Sequence, residues 1–139
     1  MKRFVLDASL VLAWFIDPSV APLAARIQRF LLQGDRAIVP HLWRPEVANG
    51  FVTAQKRGIL TAVRSAQAFA ELDLLLAQSI ENVAHDLSIQ RIVTSAQNFG
   101  LTAYDATYLE TAREQNLPLA TLDRRLAAAA QQAGISLFR

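Results

Sequence analysis

The chain has no cysteine among its 139 residues. Disulfide bonds and zinc sites built on thiolates are therefore excluded, and a reducing cytoplasm is the location we expect. The sequence also lacks an apolar run of the roughly 20 residues that a membrane helix needs, so we expect no membrane span. The apolar run that follows Lys2 and Arg3 is interrupted almost at once by Asp7, and we therefore expect no signal peptide.

A strong excess of charge is missing as well. The 14 Lys and Arg residues and 12 Asp and Glu residues leave a net charge of only +2. A hydrophobic fraction of 53% beside 19% charged residues is typical of a folded domain. The length is sufficient for one hydrophobic core and too short for two, so we expect a single domain over residues 1–139.

Short apolar segments alternate with helical patterns along the chain. The strand candidates are residues 4–6, 37–39, 79–83, 117–121 and 135–138, and the third is expected at the edge of the sheet. The helix candidates are residues 10–16, 21–32, 45–57, 61–76, 85–98 and 124–133, together with a helix that opens at residues 102–105 and carries Leu109 and Ala112 on one face. Asp17, Pro18 and Ser19 are expected to break the first helix. This alternation predicts an α/β fold, with a parallel sheet of about four to five strands flanked by helices on both faces.

Four of the twelve acidic residues stand where an apolar run ends or a helix begins. Asp7 and Asp123 follow two predicted parallel strands, whereas Glu46 and Asp105 lie in the first turns of two helices. Ligands bind along the carboxyl edge of an open α/β sheet, and the four side chains would converge there if both helices start at that edge.

Each acid also has a purely structural explanation. Asp7 is a possible cap of the first helix, and Glu46 suits the positive end of its own helix. Thr102 and Asp105 are spaced like a capping box. Thr121 and Asp123 are suited to cap the last helix.

Clustered carboxylates without counter-charges repel one another, and divalent cations resolve this conflict. Mg²⁺ and Mn²⁺ prefer oxygen ligands and need only one or two protein carboxylates each. A water activated by such an ion is a nucleophile at neutral pH, so the pattern favours metal-assisted phosphoryl chemistry. If bound cations offset the charge of these four acids, eight acidic residues remain against 14 basic ones. The rest of the surface would then be cationic, which suits a polyanionic substrate.

The sequence resembles PIN-domain ribonucleases, and specifically VapC-type toxins of toxin–antitoxin pairs. The matching segments occur in the family's order and cover essentially the whole chain: Val-Leu-Asp-Ala-Ser at 5–9, Pro45-Glu46 with Asn49, Leu-Thr-Ala-Tyr-Asp-Ala-Thr-Tyr-Leu at 101–109, and Leu-Ala-Thr-Leu-Asp at 119–123. The resemblance implies a PIN-like fold that cuts RNA with Mg²⁺ or Mn²⁺. It also implies a VapB-type antitoxin as partner and a homodimer.

Residue roles follow from the same resemblance. Asp7, Glu46, Asp105 and Asp123 match the family's acidic quartet. Asp7 and Asp105 match its most constant metal ligands, Asp123 matches a frequent contributor, and Glu46 matches a residue that acts directly or through water. The matching small hydroxyl residues that line the site are Ser9 and Thr121, and Asn49 matches a supporting polar residue near Glu46.

Other assignments remain open at this stage. Arg124 and Arg125 directly follow Asp123 and are candidates for contacts with RNA phosphates, although exposed arginines also serve solubility alone. One rival function is a PIN-like module that acts only through protein contacts. A second is a phosphatase with Asp7 as nucleophile, but such enzymes usually have another acid two residues on, where this chain has Ser9.

Overall fold

Helices and strands alternate through the described residues, 1–17 and 19–139, of this computed structural model. The elements are β1 (Arg3–Leu6), α1 (Ala8–Ile16), α2 (Pro22–Leu32), β2 (Arg36–Val39), α3 (Trp43–Lys56), α4 (Ala62–Gln78), β3 (Ile80–Asn82), α5 (Ile89–Phe99), α6 (Ala103–Gln115), β4 (Leu119–Ala120) and α7 (Arg124–Gln132). The first helix ends before Asp17, as expected from the sequence. Pro18, which belongs to the same predicted break, lies outside the described residues.

The four strands form one sheet in the order β3-β2-β1-β4, and every neighbouring pair is parallel. The predicted edge position of β3 is confirmed. In the centre of the sheet, Val5 lies opposite Ile38 on one side and Leu119 on the other. The N–H of Asp7 donates to the carbonyl of Ala120 at 3.0 Å, so the pairing of β1 with β4 continues to the carboxyl edge. Asp7 and Thr121 are thereby brought side by side.

Both faces of the sheet are covered. Phe4, Val5 and Leu6 are each 0% exposed, although successive side chains of a strand point to opposite faces. Strands buried on both faces read as continuous apolar runs, which is why these segments were recognisable in the sequence. The predicted α/β class, with helices on both faces, is confirmed.

Two predicted elements differ clearly from the structure. The fifth strand, residues 135–138, is reduced to a single parallel bridge between Leu137 and Leu119, because β4 itself has only two residues with which a further strand could pair. The helix predicted from residue 85 begins at Ile89, where the Ser88 hydroxyl accepts a hydrogen bond from the N–H of Arg91 at 3.2 Å and caps it. Across residues 1–17 and 19–139, no helix is both long and apolar enough to cross a membrane.

Candidate active site

Asp7 lies at the carboxyl end of the central strand β1 and is 6% exposed. Its Oδ2 accepts hydrogen bonds from the Thr121 hydroxyl at 2.6 Å and from the Ser9 hydroxyl at 2.9 Å. The Ser9 oxygen accepts in turn from the N–H of Leu122 at 3.2 Å. Asp7 occupies the N-cap position of α1, but its side chain makes no capping hydrogen bond. Its carboxylate is therefore oriented by two hydroxyls and is not used to start the helix.

Burial raises the pKa of Asp7 above its ordinary value. The hydrogen bonds from Thr121 and Ser9 lower that pKa, while the nearby charge of Asp123 raises it. A carboxylate that is buried beside another acid and stabilised only by neutral donors favours a cation as neighbour.

Glu46 lies in the first turn of α3 and is half-buried. Its Oε1 accepts a hydrogen bond from the Tyr108 hydroxyl at 2.7 Å. Burial raises the pKa of Glu46, the hydrogen bond from Tyr108 lowers it, and the charges of Asp7 and Asp105 raise it further. Asn49 lies three residues later on α3 with an exposed side chain, and its supporting role near Glu46 stays a prediction.

Asp105 stands in the first turn of α6. The predicted capping residue Thr102 accepts a hydrogen bond from the N–H of Asp105 at 3.1 Å. The helix start is thus capped without the Asp105 carboxylate. Burial raises the pKa of this carboxyl, Asp123 and Asp7 raise it further, and Thr102 and Arg125 lower it.

Asp123 begins α7 and serves as its cap. Its Oδ1 accepts hydrogen bonds from the N–H groups of Arg125 at 2.8 Å and Leu126 at 3.1 Å. The N–H of Asp123 donates to the Thr121 hydroxyl oxygen at 3.0 Å, and the same hydroxyl donates to Asp7. Thr121 therefore links the two acids that follow β1 and β4.

The four predicted acids lie at the carboxyl edge of the sheet and act on one another electrostatically. The charge of Asp7 raises the pKa of both Glu46 and Asp105, and the charge of Asp123 raises the pKa of Asp7 and Asp105. In the part of the chain that the structure describes, no three His, Asp or Glu side chains are grouped closely enough to hold one metal ion. The arrangement fits an ion that takes one or two carboxylates and completes its coordination with water, as Mg²⁺ and Mn²⁺ do.

Two further groups adjoin the acids. Tyr108 was not assigned a role from the sequence. Its spacing of three residues from Asp105 places both side chains on the same face of α6, and this spacing could have indicated that Tyr108 lies near the acids. Arg125 is exposed, and its guanidinium donates to the carbonyl of Gly100 at 2.6 Å. Arg124 is exposed beside it.

A parallel α/β sheet with acids along its carboxyl edge defines a class of domain suited to phosphate chemistry. The sequence profile of the PIN domain matches residues 4–132, and the chain belongs to this family. PIN domains are typically nucleases, and PIN nucleases generally use divalent metal ions.

Solved structures with the same fold include PAE2754 from Pyrobaculum aerophilum, which is 23% identical over 92% of this chain and 79% of that one, with a TM-score of 0.69. FitAcB from Neisseria gonorrhoeae is 18% identical over 100% of this chain and 97% of that one, with a TM-score of 0.66. A domain of a functionally unknown protein from Methanocaldococcus jannaschii is 18% identical over 99% and 90% of the two chains, with a TM-score of 0.60. Such identities show the fold alone. No curated protein matches the sequence.

Proposed function

We propose that this domain is an endoribonuclease that requires Mg²⁺ or Mn²⁺. The observation that carries the proposal is the placement of Asp7, Glu46, Asp105 and Asp123 at one edge of the sheet, where burial and the neighbouring acids raise the pKa values of the first three. At Asp7 the only groups that offset this effect are neutral hydrogen-bond donors of Thr121 and Ser9. Such a site is unfavourable for the isolated protein and favourable for a bound cation.

Asp7 and Asp105 are the proposed principal ligands. Because no three of the acids of the described residues are close enough to hold one ion, Asp123 would contribute through a coordinated water or a second ion, with Oδ2 as the oxygen that does not cap α7. Glu46 acts directly or through an ordered water. When bound, a divalent cation supplies a water acidic enough to attack phosphorus and offsets the charge on the leaving oxygen. In the net reaction one P–O ester bond of RNA is broken, phosphorus gains the hydroxyl of water, and the sugar oxygen gains a proton.

The chain's own residues orient this chemistry. Ser9 and Thr121 hold Oδ2 of Asp7 through their hydroxyls, which leaves Oδ1 for the cation. Arg124 and Arg125 follow Asp123 directly and are proposed to contact RNA phosphates on either side of the cleaved bond.

We further propose that the protein is the toxin of a VapC-type toxin–antitoxin pair. The support is the order of the four matching sequence segments together with the PIN fold. The proposal includes a VapB-type antitoxin as partner, a homodimer as the functional assembly, and action on RNA in the cytoplasm.

Expression of the wild-type protein should arrest growth, and expression of an Asp105→Asn variant should not. Co-expression of a small protein encoded directly upstream should relieve the arrest.

The decisive experiment joins Mn²⁺ binding by calorimetry with cleavage of RNA by the same preparations. Wild-type protein should bind Mn²⁺ and cleave RNA, and Asp105→Asn should lose both while keeping its thermal unfolding transition. Asp73→Asn, which changes an exposed acid on α4, is the matched control and should retain both activities. Wild-type protein that binds no Mn²⁺ would favour the rival protein-interaction module, and full cleavage by Asp105→Asn would contradict the metal assignment.

A further inference from the structure

A buried phenol adjoins the acidic edge without being one of its acids. Tyr108 on α6 is 0% exposed, and its hydroxyl donates to Oε1 of Glu46 on α3 at 2.7 Å. The two residues are 62 positions apart in sequence, so the hydrogen bond joins separate parts of the fold. It is the one contact that ties Glu46 to a side chain of another element among the hydrogen bonds of the described residues.

The direction of this hydrogen bond is fixed by the surroundings of the phenol. Burial raises the pKa of Tyr108 far above its ordinary value, and the hydrogen bond and charge of Glu46 raise it further. The hydroxyl therefore keeps its proton and acts as the donor, while the Glu46 oxygen accepts. The backbone of Ala8, at the start of α1, lowers the pKa of Tyr108 by a smaller amount.

The helix that carries Tyr108 is held independently of Glu46. Glu110 on α6 is buried and accepts hydrogen bonds from the Ser95 hydroxyl at 2.9 Å and the Arg91 guanidinium at 3.1 Å, both on α5. These hydrogen bonds join α6 to α5 without involving Glu46. Asp105 lies one turn before Tyr108 on the same helix.

We propose that Tyr108 is a positioning residue for the nuclease site: by holding Oε1 of Glu46, it directs the free Oε2 toward the region shared by Asp7 and Asp105. Because α6 carries both Asp105 and Tyr108, a single helix then sets the placement of two acids that belong to different helices. This inference rests on the nuclease function proposed above. It assigns a role to the second tyrosine of the Tyr-Asp-Ala-Thr-Tyr segment.

The test is a double-mutant cycle with Tyr108→Phe, Glu46→Gln and the double variant, assayed for RNA cleavage at saturating Mn²⁺. Tyr108→Phe removes only the hydroxyl. A residue that acts by orienting an acid should lower kcat about tenfold with KM for RNA changed less than about twofold. In the Glu46→Gln background the same substitution should have no further effect, because the group it positions is already replaced.

Tyr104→Phe is the matched control, since Tyr104 begins the same segment of α6 but is 65% exposed. It should leave kcat within about twofold of wild type. If Tyr108→Phe lowers kcat equally in both backgrounds, its effect is structural and the positioning role is overturned. An inactive wild-type protein would instead refute the nuclease function, so the two failures are distinguishable.

A measurement without metal or RNA tests the hydrogen bond between Tyr108 and Glu46 directly. In the proton NMR spectrum of the metal-free protein, the Tyr108 hydroxyl should give a slowly exchanging resonance that is shifted downfield by the charged acceptor. Glu46→Gln should move this resonance upfield because the acceptor becomes neutral, whereas Asp73→Asn should not. A hydroxyl resonance that is unchanged by Glu46→Gln would show that the phenol does not hold Glu46 and would overturn the proposal.

Discussion

Asp7 and Asp123 occupy equivalent places in the fold and are used differently. Each follows a parallel strand and precedes a helix. Asp7 is buried, accepts two side-chain hydroxyls and does not cap α1. Asp123 is only partly buried, and its Oδ1 accepts the two backbone N–H groups that cap α7.

The comparison shows that an acid between a strand and a helix can either cap the helix or remain free for a ligand. A carboxylate that caps a helix has one oxygen committed to backbone groups, whereas a carboxylate held by hydroxyls remains available to a ligand at its other oxygen. Asp7 is therefore specialised for the proposed metal site, and Asp123 shares its carboxylate between the site and the helix. Substitution of Asp7 should therefore reduce activity and leave the fold intact, whereas removal of the Asp123 carboxylate should reduce both activity and stability.

The largest effect is expected from Asp7→Asn. Loss of the buried charge should reduce metal-dependent RNA cleavage by about a thousandfold or more, since electrostatic stabilisation at the reacting phosphate is removed. The fold should persist, because an Asn carbonyl still accepts from Thr121 and Ser9. Cleavage should be followed with a defined RNA in Mn²⁺. Activity within tenfold of wild type would contradict the specialised role of Asp7.

The same variant should change how stability depends on pH. Because burial raises the pKa of folded Asp7, the folded state binds its proton more tightly than the unfolded state does. The metal-free wild type should therefore lose stability as pH rises from the ordinary Asp pKa of about 3.9 through the raised folded value. Asp7→Asn should weaken this decline, which urea unfolding between acidic and neutral pH would measure. Steeper loss in the variant would contradict the burial argument.

At Asp123, two substitutions separate the cap from the charge. Asp123→Asn keeps a capping oxygen and should leave the free energy of unfolding nearly unchanged, whereas Asp123→Ala should lower it by about 1 kcal/mol. Both should reduce cleavage by about 10- to 100-fold, which is less than the effect of Asp7→Asn. Thermal unfolding and kinetics of the pair give the measurement. Equal stability of the two variants would show that the cap contributes little to α7.

The fold class and the placement of the four acids at one edge of the sheet could be predicted from the sequence, because both depend on local signals. Strands buried on both faces are visible as apolar runs, and parallel strands bring their carboxyl ends to one edge whatever connects them. Thr102 and Asp123 were recognised as caps because N-terminal capping is set by residues within one turn.

The features that were missed depend on tertiary partners. Residues 135–138 read as a strand, but the length of a strand depends on its neighbour, and β4 provides only two residues. The hydrogen bond between Tyr108 and Glu46 spans 62 residues, and no local pattern encodes it. The difference between Asp7 and Asp123 is also largely tertiary, because it arises from burial of the central strand and from the hydrogen bond that Thr121 donates to Asp7 across 114 positions.

Thr121 connects the two acids, so its hydroxyl should matter to both. Thr121→Val removes the donor to Asp7 and the acceptor for the N–H of Asp123, and should reduce cleavage about tenfold and stability by about 1–3 kcal/mol. Thr111→Val is the control, because its buried hydroxyl donates to the carbonyl of Thr107 within α6. The control should lose stability without losing cleavage. Comparable loss of cleavage in both would indicate a general packing defect.

The smallest effect is expected at the arginines that follow Asp123. Arg124→Gln should raise KM for RNA only about two- to threefold at low salt and reduce the salt dependence of binding by about one phosphate contact. Arg125→Gln should have the larger effect, because its guanidinium also bonds the Gly100 carbonyl and lowers the pKa of Asp105. Both differences should shrink as salt screens the exposed charges. If Arg124→Gln leaves KM and its salt dependence unchanged, Arg124 serves solubility alone and RNA contact on this side of the acids rests on Arg125.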